Sequence, residues 1–124
     1  MAKLFFIGLG GFMGAVARYL LSGWVLAVSG EGFPYGTLAV NAIGSLAIGF
    51  IMTYGLEIYP IDQNLRLFLT TGILGAFTTF STFSYETMAL LQDASYFAAI
   101  WNTILNVVLG LGGVWLGVIL ARLV

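Results

Sequence analysis

Cysteine and histidine are both absent from this chain, proline occurs twice, and charge is scarce: four basic and five acidic residues among 124. Without cysteine there are no disulfides, no thiolate metal sites and no thiol nucleophile. Without histidine, the usual proton shuttle and the commonest metal ligand are gone as well. A formal net charge of -1 provides no basic surface for a polyanion, so nucleic acid is not an expected partner. Catalysis needs a nucleophile with its base, a metal cluster or paired carboxylates; this chain has hydroxyls but no closely spaced acids, and the expectation is a protein that is not an enzyme. Charged residues make up 7% of the chain, against roughly 25% in an ordinary soluble domain, too few to clothe a compact globule in water.

What is abundant is apolar surface. Hydrophobic residues make up 60% of the chain and the mean hydropathy is +1.05, which points to the lipid bilayer as solvent. A hydrocarbon core of about 30 Å takes roughly 20 helical residues to cross, so the chain has room for about four spans and short connections. Four apolar runs fit: Leu4 to Val28, Thr37 to Leu56, Leu67 to about Leu91, and Tyr96 to Ala121. Between them lie breakers and charges, Ser29 to Pro34, Glu57 to Asn64 with Pro60 and Asp62, and Gln92-Asp93. The expected architecture is an all-α membrane protein, one four-span domain over residues 1–124, multi-pass in the cell (inner) membrane. The first run has some features of a secretory leader, with Lys3 ahead of it and Ala27-Val28-Ser29 near its end. Arg18 inside it and the odd three-span remnant left by cleavage favour a retained first helix. Lys3, Arg66 and Arg122 fall on the side of the termini and Arg18 tends toward the other, a weak orientation bias that fits either a small sample of charges or a protein inserting both ways round.

The third run is unlike the others. Thr70, Thr71, Thr78, Thr79, Ser81, Thr82 and Ser84 place seven hydroxyls around its midpoint, with Gly72 and Gly75 among them. Single hydroxyls bond back to a carbonyl one turn earlier and single glycines let helices pack closely; a cluster this dense points to a discontinuous helix whose released backbone groups need protein, water or an ion. Asn41 near the start of the second run must be bonded in lipid, either as interhelical glue or facing a polar cavity. Asn102 and Asn106 are one turn apart on a face of the fourth run that continues to Gly110 and Gly113, a face expected to meet another helix. Arg18 is the one cation well inside a run; it either snorkels to the interface or raises anion concentration in a vestibule. Glu86 opposes an anion path unless it sits toward a span end, is protonated or is bonded to donors, three readings the residue alone leaves open. Phe80 and Phe83, three apart, are ordinary packing rings or, edge-on, weak electropositive contacts for an anion stripped of water.

The run Gly72-Ile73-Leu74-Gly75-Ala76-Phe77-Thr78-Thr79-Phe80-Ser81-Thr82-Phe83-Ser84, followed by Glu86, strongly resembles the signature of the Fluc (CrcB) fluoride channels. Gly11 through Gly14-Ala15 to Arg18-Tyr19, and Pro34-x-Gly36-Thr37-Leu38-x-x-Asn41, agree with that family in order. The resemblance implies a fluoride-selective channel built from two copies inserted antiparallel, exporting fluoride passively and so protecting the cell. It further implies a fluoride pathway lined by Phe80 and Phe83, with Asn41 as amide donor and Ser81, Thr82 and Ser84 as hydroxyl contacts. Arg18 becomes a motif residue near the entrance. Carbonyls of Gly75 and Thr78, freed by a break in the third span, would hold a structural sodium ion shared between the subunits. The fourth span departs from the pattern: some relatives carry serine where Asn106 or Gly110 stands, which alters any hydroxyl ladder there. The alternative class is a small multidrug-type antiporter, also an antiparallel four-helix dimer, but its chemistry needs a membrane-buried acid and the first run has none.

Overall fold

A computed structural model describes residues 1–124, all helix and connection. Helix α1 spans Ala2–Ser29 and ends on Gly30, whose φ of +86° lets its N–H return to the Leu26 carbonyl at 2.8 Å. Helix α2 runs Tyr35–Thr53 behind Pro34 and continues through a π-helical turn, Tyr54–Ile58. The third stretch opens with α3, Gln63–Leu67, capped by the Asp62 carboxylate, which accepts from the N–H groups of Asn64 and Leu65 at 2.9 and 3.3 Å. A π-helical segment, Phe68–Leu74, and the short α4, Gly75–Phe77, follow. Thr78 and Thr79 then take extended dihedrals before α5 begins at Phe80 and runs to Gln92. Helix α6 spans Tyr96–Leu123.

Four stretches are long and apolar enough to cross a membrane: Ala2–Ser29, Tyr35–Ile58, Gln63–Gln92 and Tyr96–Leu123. They extend beyond the apolar runs at nearly every end. Hydropathy stops at the first polar residue, whereas the backbone keeps winding until a cap or breaker satisfies its last groups. The turn after α5 shows the cost of a poor breaker, because Ala94 sits there at φ +59°, a left-handed conformation costing an L-residue about 1–2 kcal/mol. Ala94→Gly is therefore expected to stabilise the fold by about 1 kcal/mol, read as a raised Tm in detergent.

Small residues bring the helices together. Along the α2–α6 seam Gly49 meets the Val114 backbone, Gly113 lies against Ala42 and Leu46, and Gly117 against Leu46 and Phe50. Gly10 and Gly14 of α1 seat the π-helical segment at Phe68, Gly72 and Ile73 in the same way. Lipid offers no hydrophobic drive for this pairing, so close backbone approach and dispersion carry it. Accordingly the interior is thin: Val40 and Asn102 are the largest fully buried side chains, while Phe12, Trp24, Leu111 and Trp115 face outward. Many large apolar side chains thus face lipid, while Thr37, Thr53, Thr79 and Asn102 are buried along with Leu38, Val40, Leu74 and Phe77.

Candidate functional site

The interruption at Thr78–Thr79 is held by a neighbouring side chain. Asn41 of α2 accepts the Thr79 N–H on Oδ1 at 2.8 Å and donates from Nδ2 to the Thr79 carbonyl at 3.0 Å. One amide thus replaces the partner that a helix would have given the Thr79 N–H and adds a second donor to its carbonyl. In an unbroken helix the Thr79 N–H would return to the Gly75 carbonyl and the Thr82 N–H to the Thr78 carbonyl. Here the first goes to Asn41, and the second goes to the Thr79 hydroxyl at 3.1 Å, which caps α5. The carbonyls of Gly75 and Thr78 have both lost their α-helical donors. Gly44 makes room for the turn, since a Cβ there would overlap the Thr78 methyl.

Beside the interruption lies a recess of about 340 Å³ bounded by Asn41, Gly75, Thr78, Thr79, Phe80 and Phe83, with Ser45, Thr70 and Asn106 adding polar groups. The Phe80 and Phe83 rings meet edge to face, centroids 5.5 Å apart, and Phe80 is 79% exposed. A second cavity, about 240 Å³, is lined by Arg18, Ser22, Thr37, Thr79 and Thr82 among others. Thr79 borders both cavities.

The structure therefore brings Asn41, Gly75, Thr78, Phe80 and Phe83 to one recess and places Arg18 and Thr82 on the other side of Thr79. Ser81 and Ser84 are exposed and line neither; the Ser84 hydroxyl is bonded to the Phe80 carbonyl at 2.9 Å. Arg18 is half-buried and outside the single ion pair, which joins Arg122 to Glu57 at 3.1 Å. Glu86 accepts a hydrogen bond from the Thr37 hydroxyl, so one of its open readings, bonding to a donor, is realised.

Sequence reasoning counted Thr79 among the hydroxyls of the third run without giving it a role, and did not join the asparagines. Asn41 Nδ2 also donates to Asn106 Oδ1 at 3.1 Å, and Asn106 donates onward to Asn102. The one-turn spacing of Asn102 and Asn106 was a signal for a shared face; which helix that face meets is a matter of register that spacing does not encode.

No group of His, Cys, Asp or Glu side chains here is placed to hold a metal ion, so a cation in this chain needs neutral oxygens. Carbonyls stripped of their helical donors are such ligands, and hard ions accept them. The donor set at Gly75 and Thr78 fits sodium.

The chain matches the family model described as CrcB-like protein, Camphor Resistance (CrcB), over residues 5–118. It is 52% identical over 122 residues to the protein of Geobacter sulfurreducens named Fluoride-specific ion channel FluC, covering 98% of each chain. The protein of the same name in Geobacter metallireducens is 50% identical over 122 residues, again with 98% of each chain covered. One from Clostridium perfringens, also so named, is 50% identical over 117 residues, 94% of this chain and 91% of that one.

Proposed function

The chain belongs to the CrcB-like family, and from that premise we propose that it is a fluoride-specific ion channel, a multi-pass protein of the cell membrane through which fluoride leaves passively. The observation that carries the reading is the pair of helix ends facing one another across Thr78–Thr79. A helix interrupted inside a membrane offers N–H groups at the start of its second half, which suit an anion, and carbonyls at the end of its first half, which suit a cation. We take the interruption to be a break of the third span at mid-membrane.

Fluoride is small and strongly hydrated, so a path for it must replace water with donors and stay narrow enough to refuse larger halides. The first turn of α5, the edges of Phe80 and Phe83 and the amide of Asn41 are the groups available at the recess; Ser81 and Thr82 in that turn and Ser84 just beyond it add hydroxyls. Both N–H groups of Asn41 are engaged with the protein, so an ion there shares or displaces an existing bond. That makes the contact weak, as conduction requires. Arg18, in the cavity on the far side of Thr79, raises anion concentration at a mouth without binding tightly. Phe83→Ala is expected to lower fluoride efflux from reconstituted vesicles at least about tenfold, the loss of one contact worth roughly 1.4 kcal/mol, with little change in assembly.

The functional unit is an antiparallel homodimer. In its support, the recess is open on one side, Phe80 beside it is mostly exposed, and the charges give no firm orientation. The carbonyls of Gly75 and Thr78 would hold a structural sodium ion shared between the two copies, which would supply positive charge that no side chain there provides. Replacing sodium on both sides of the membrane with a bulky organic cation is expected to reduce fluoride efflux and weaken the dimer, the latter read by the mass of the purified protein in detergent. The antiporter alternative gains no support, because Glu86 is held by Thr37 and the relatives are named as channels.

The export role is tested in cells. A bacterial host lacking its own fluoride exporter should grow in millimolar-range fluoride when it produces this chain, and growth no better than with an empty vector would refute the role.

A further inference from the structure

Hydrogen bonds around α5 close into a circuit whose sense is fixed at both ends. It starts at the Thr79 N–H, which can only donate, and donates to Asn41 Oδ1 at 2.8 Å. With its oxygen so placed, Asn41 must turn Nδ2 toward Asn106 Oδ1, 3.1 Å away. Asn106 then has Nδ2 left for the carbonyl and Oδ1 of Asn102, at 2.8 and 3.1 Å. Asn102 in turn donates to Thr87 Oγ1 at 2.9 Å, and the Thr87 hydroxyl proton goes to the Phe83 carbonyl at 2.8 Å. That carbonyl can only accept. The circuit leaves the third stretch at Thr79, crosses α2 and α6, and returns one turn later at Phe83.

Each amide in it has a single orientation compatible with its neighbours, and Asn102, at 1% exposure, has no water to substitute for a lost partner. Bonds aligned head to tail in a low-dielectric interior polarise one another. We propose that Thr87 and Asn102 are positioning residues for the ion path: the bond between them ties α5 to α6 and so holds the backbone that carries the Phe83 ring against the helix that presents Asn106 to Asn41. The proposal rests on the fluoride-channel reading, and neither residue lines the recess itself. Removing the Thr87 hydroxyl strands the Asn102 Nδ2 donor in a dry interior and cuts the side-chain hydrogen bond between α5 and α6, so the first turns of α5 lose their fixed position against the asparagines.

The test compares Thr87→Val, which keeps shape and loses the hydroxyl, with Thr87→Ser, which restores it. Thr103→Val is the control, since the Thr103 hydroxyl bonds only its own helix at Ala99. Full-length protein in liposomes is assayed for fluoride and chloride efflux. Fluoride efflux by the unaltered chain tests the channel reading on its own. Given that efflux, Thr87→Val should show fluoride efflux about tenfold slower, the consequence of one stranded buried donor, and a lower fluoride-to-chloride ratio; Thr87→Ser and Thr103→Val should match the parent. Should Thr87→Val not assemble, the double variant Thr87→Val/Asn102→Leu, which removes the Asn102 donor together with its partner and leaves Asn106 its bond to the residue 102 carbonyl, should assemble and show the same loss of ratio. A parental rate and ratio in Thr87→Val or in the double variant overturns the proposal. Failure of both to assemble overturns it too, since the circuit then serves folding alone.

Discussion

Gly117→Ala should dismantle the bundle, whereas Gly112→Ala, five residues away on the same helix, should leave it intact. A Cβ at Gly117 would overlap the Leu46 carbonyl and come within 2.7 Å of the Phe50 nitrogen and 3.1 Å of the Gly49 carbonyl carbon. All three are backbone of α2, so no side chain can swing aside and the two helices must separate. Overpacking a core commonly costs about 1–3 kcal/mol; here the cost is at the upper end or beyond, because the α2–α6 seam is the most extensive helix pairing in the fold and moving it also separates Asn41 from Asn106. At Gly112 a Cβ meets nothing within 4 Å, and alanine is the better helix former by about 1 kcal/mol. Size-exclusion profiles and thermal unfolding in detergent distinguish the two. Equal stability of Gly117→Ala and the parent would show that the seam is looser than the structure describes.

Asn41→Asp should abolish most fluoride efflux while permitting assembly. Aspartate still accepts the Thr79 N–H, so the extended pair keeps one of its two ties to α2. Both donations from Asn41 Nδ2 disappear, and a carboxylate oxygen then faces the Thr79 carbonyl and Asn106 Oδ1, where donors had met acceptors at 3.0 and 3.1 Å. Ionised, it also sets a negative charge on the wall of a recess proposed to pass an anion. Two lost hydrogen bonds at about 1 kcal/mol each, with repulsion added, correspond to at least roughly a hundredfold fall. Fluoride-electrode traces from vesicles at matched protein content give the rate directly, and efflux within about threefold of the parent, under 1 kcal/mol by the same conversion, would remove Asn41 from the path.

The four crossings were legible because hydropathy and length are properties of the chain read in one dimension, and so was the hydroxyl cluster that distinguishes the third run. The π-helical segment Phe68–Leu74 was not. Its register follows from seating Gly72 and Ile73 against Gly10 and Gly14, a contact between residues far apart in the chain. The same holds for the polar interior. Asn102 and Asn106 announced a shared face by their spacing, but only helix packing shows that this face meets Asn41 on one side and Thr87 on another. Thr79 carries no local mark separating it from the hydroxyls around it. Its importance comes from Asn41, 38 residues earlier, accepting the N–H that Gly75 would otherwise have received.

Fluoride and chloride electrodes reading the same suspension of liposomes, loaded with both salts and containing the purified chain, test the central claim most directly. A channel of the kind described empties the vesicles of fluoride within seconds to minutes and leaves chloride inside. Fluoride retained by folded protein, or both halides released at similar rates, would contradict it.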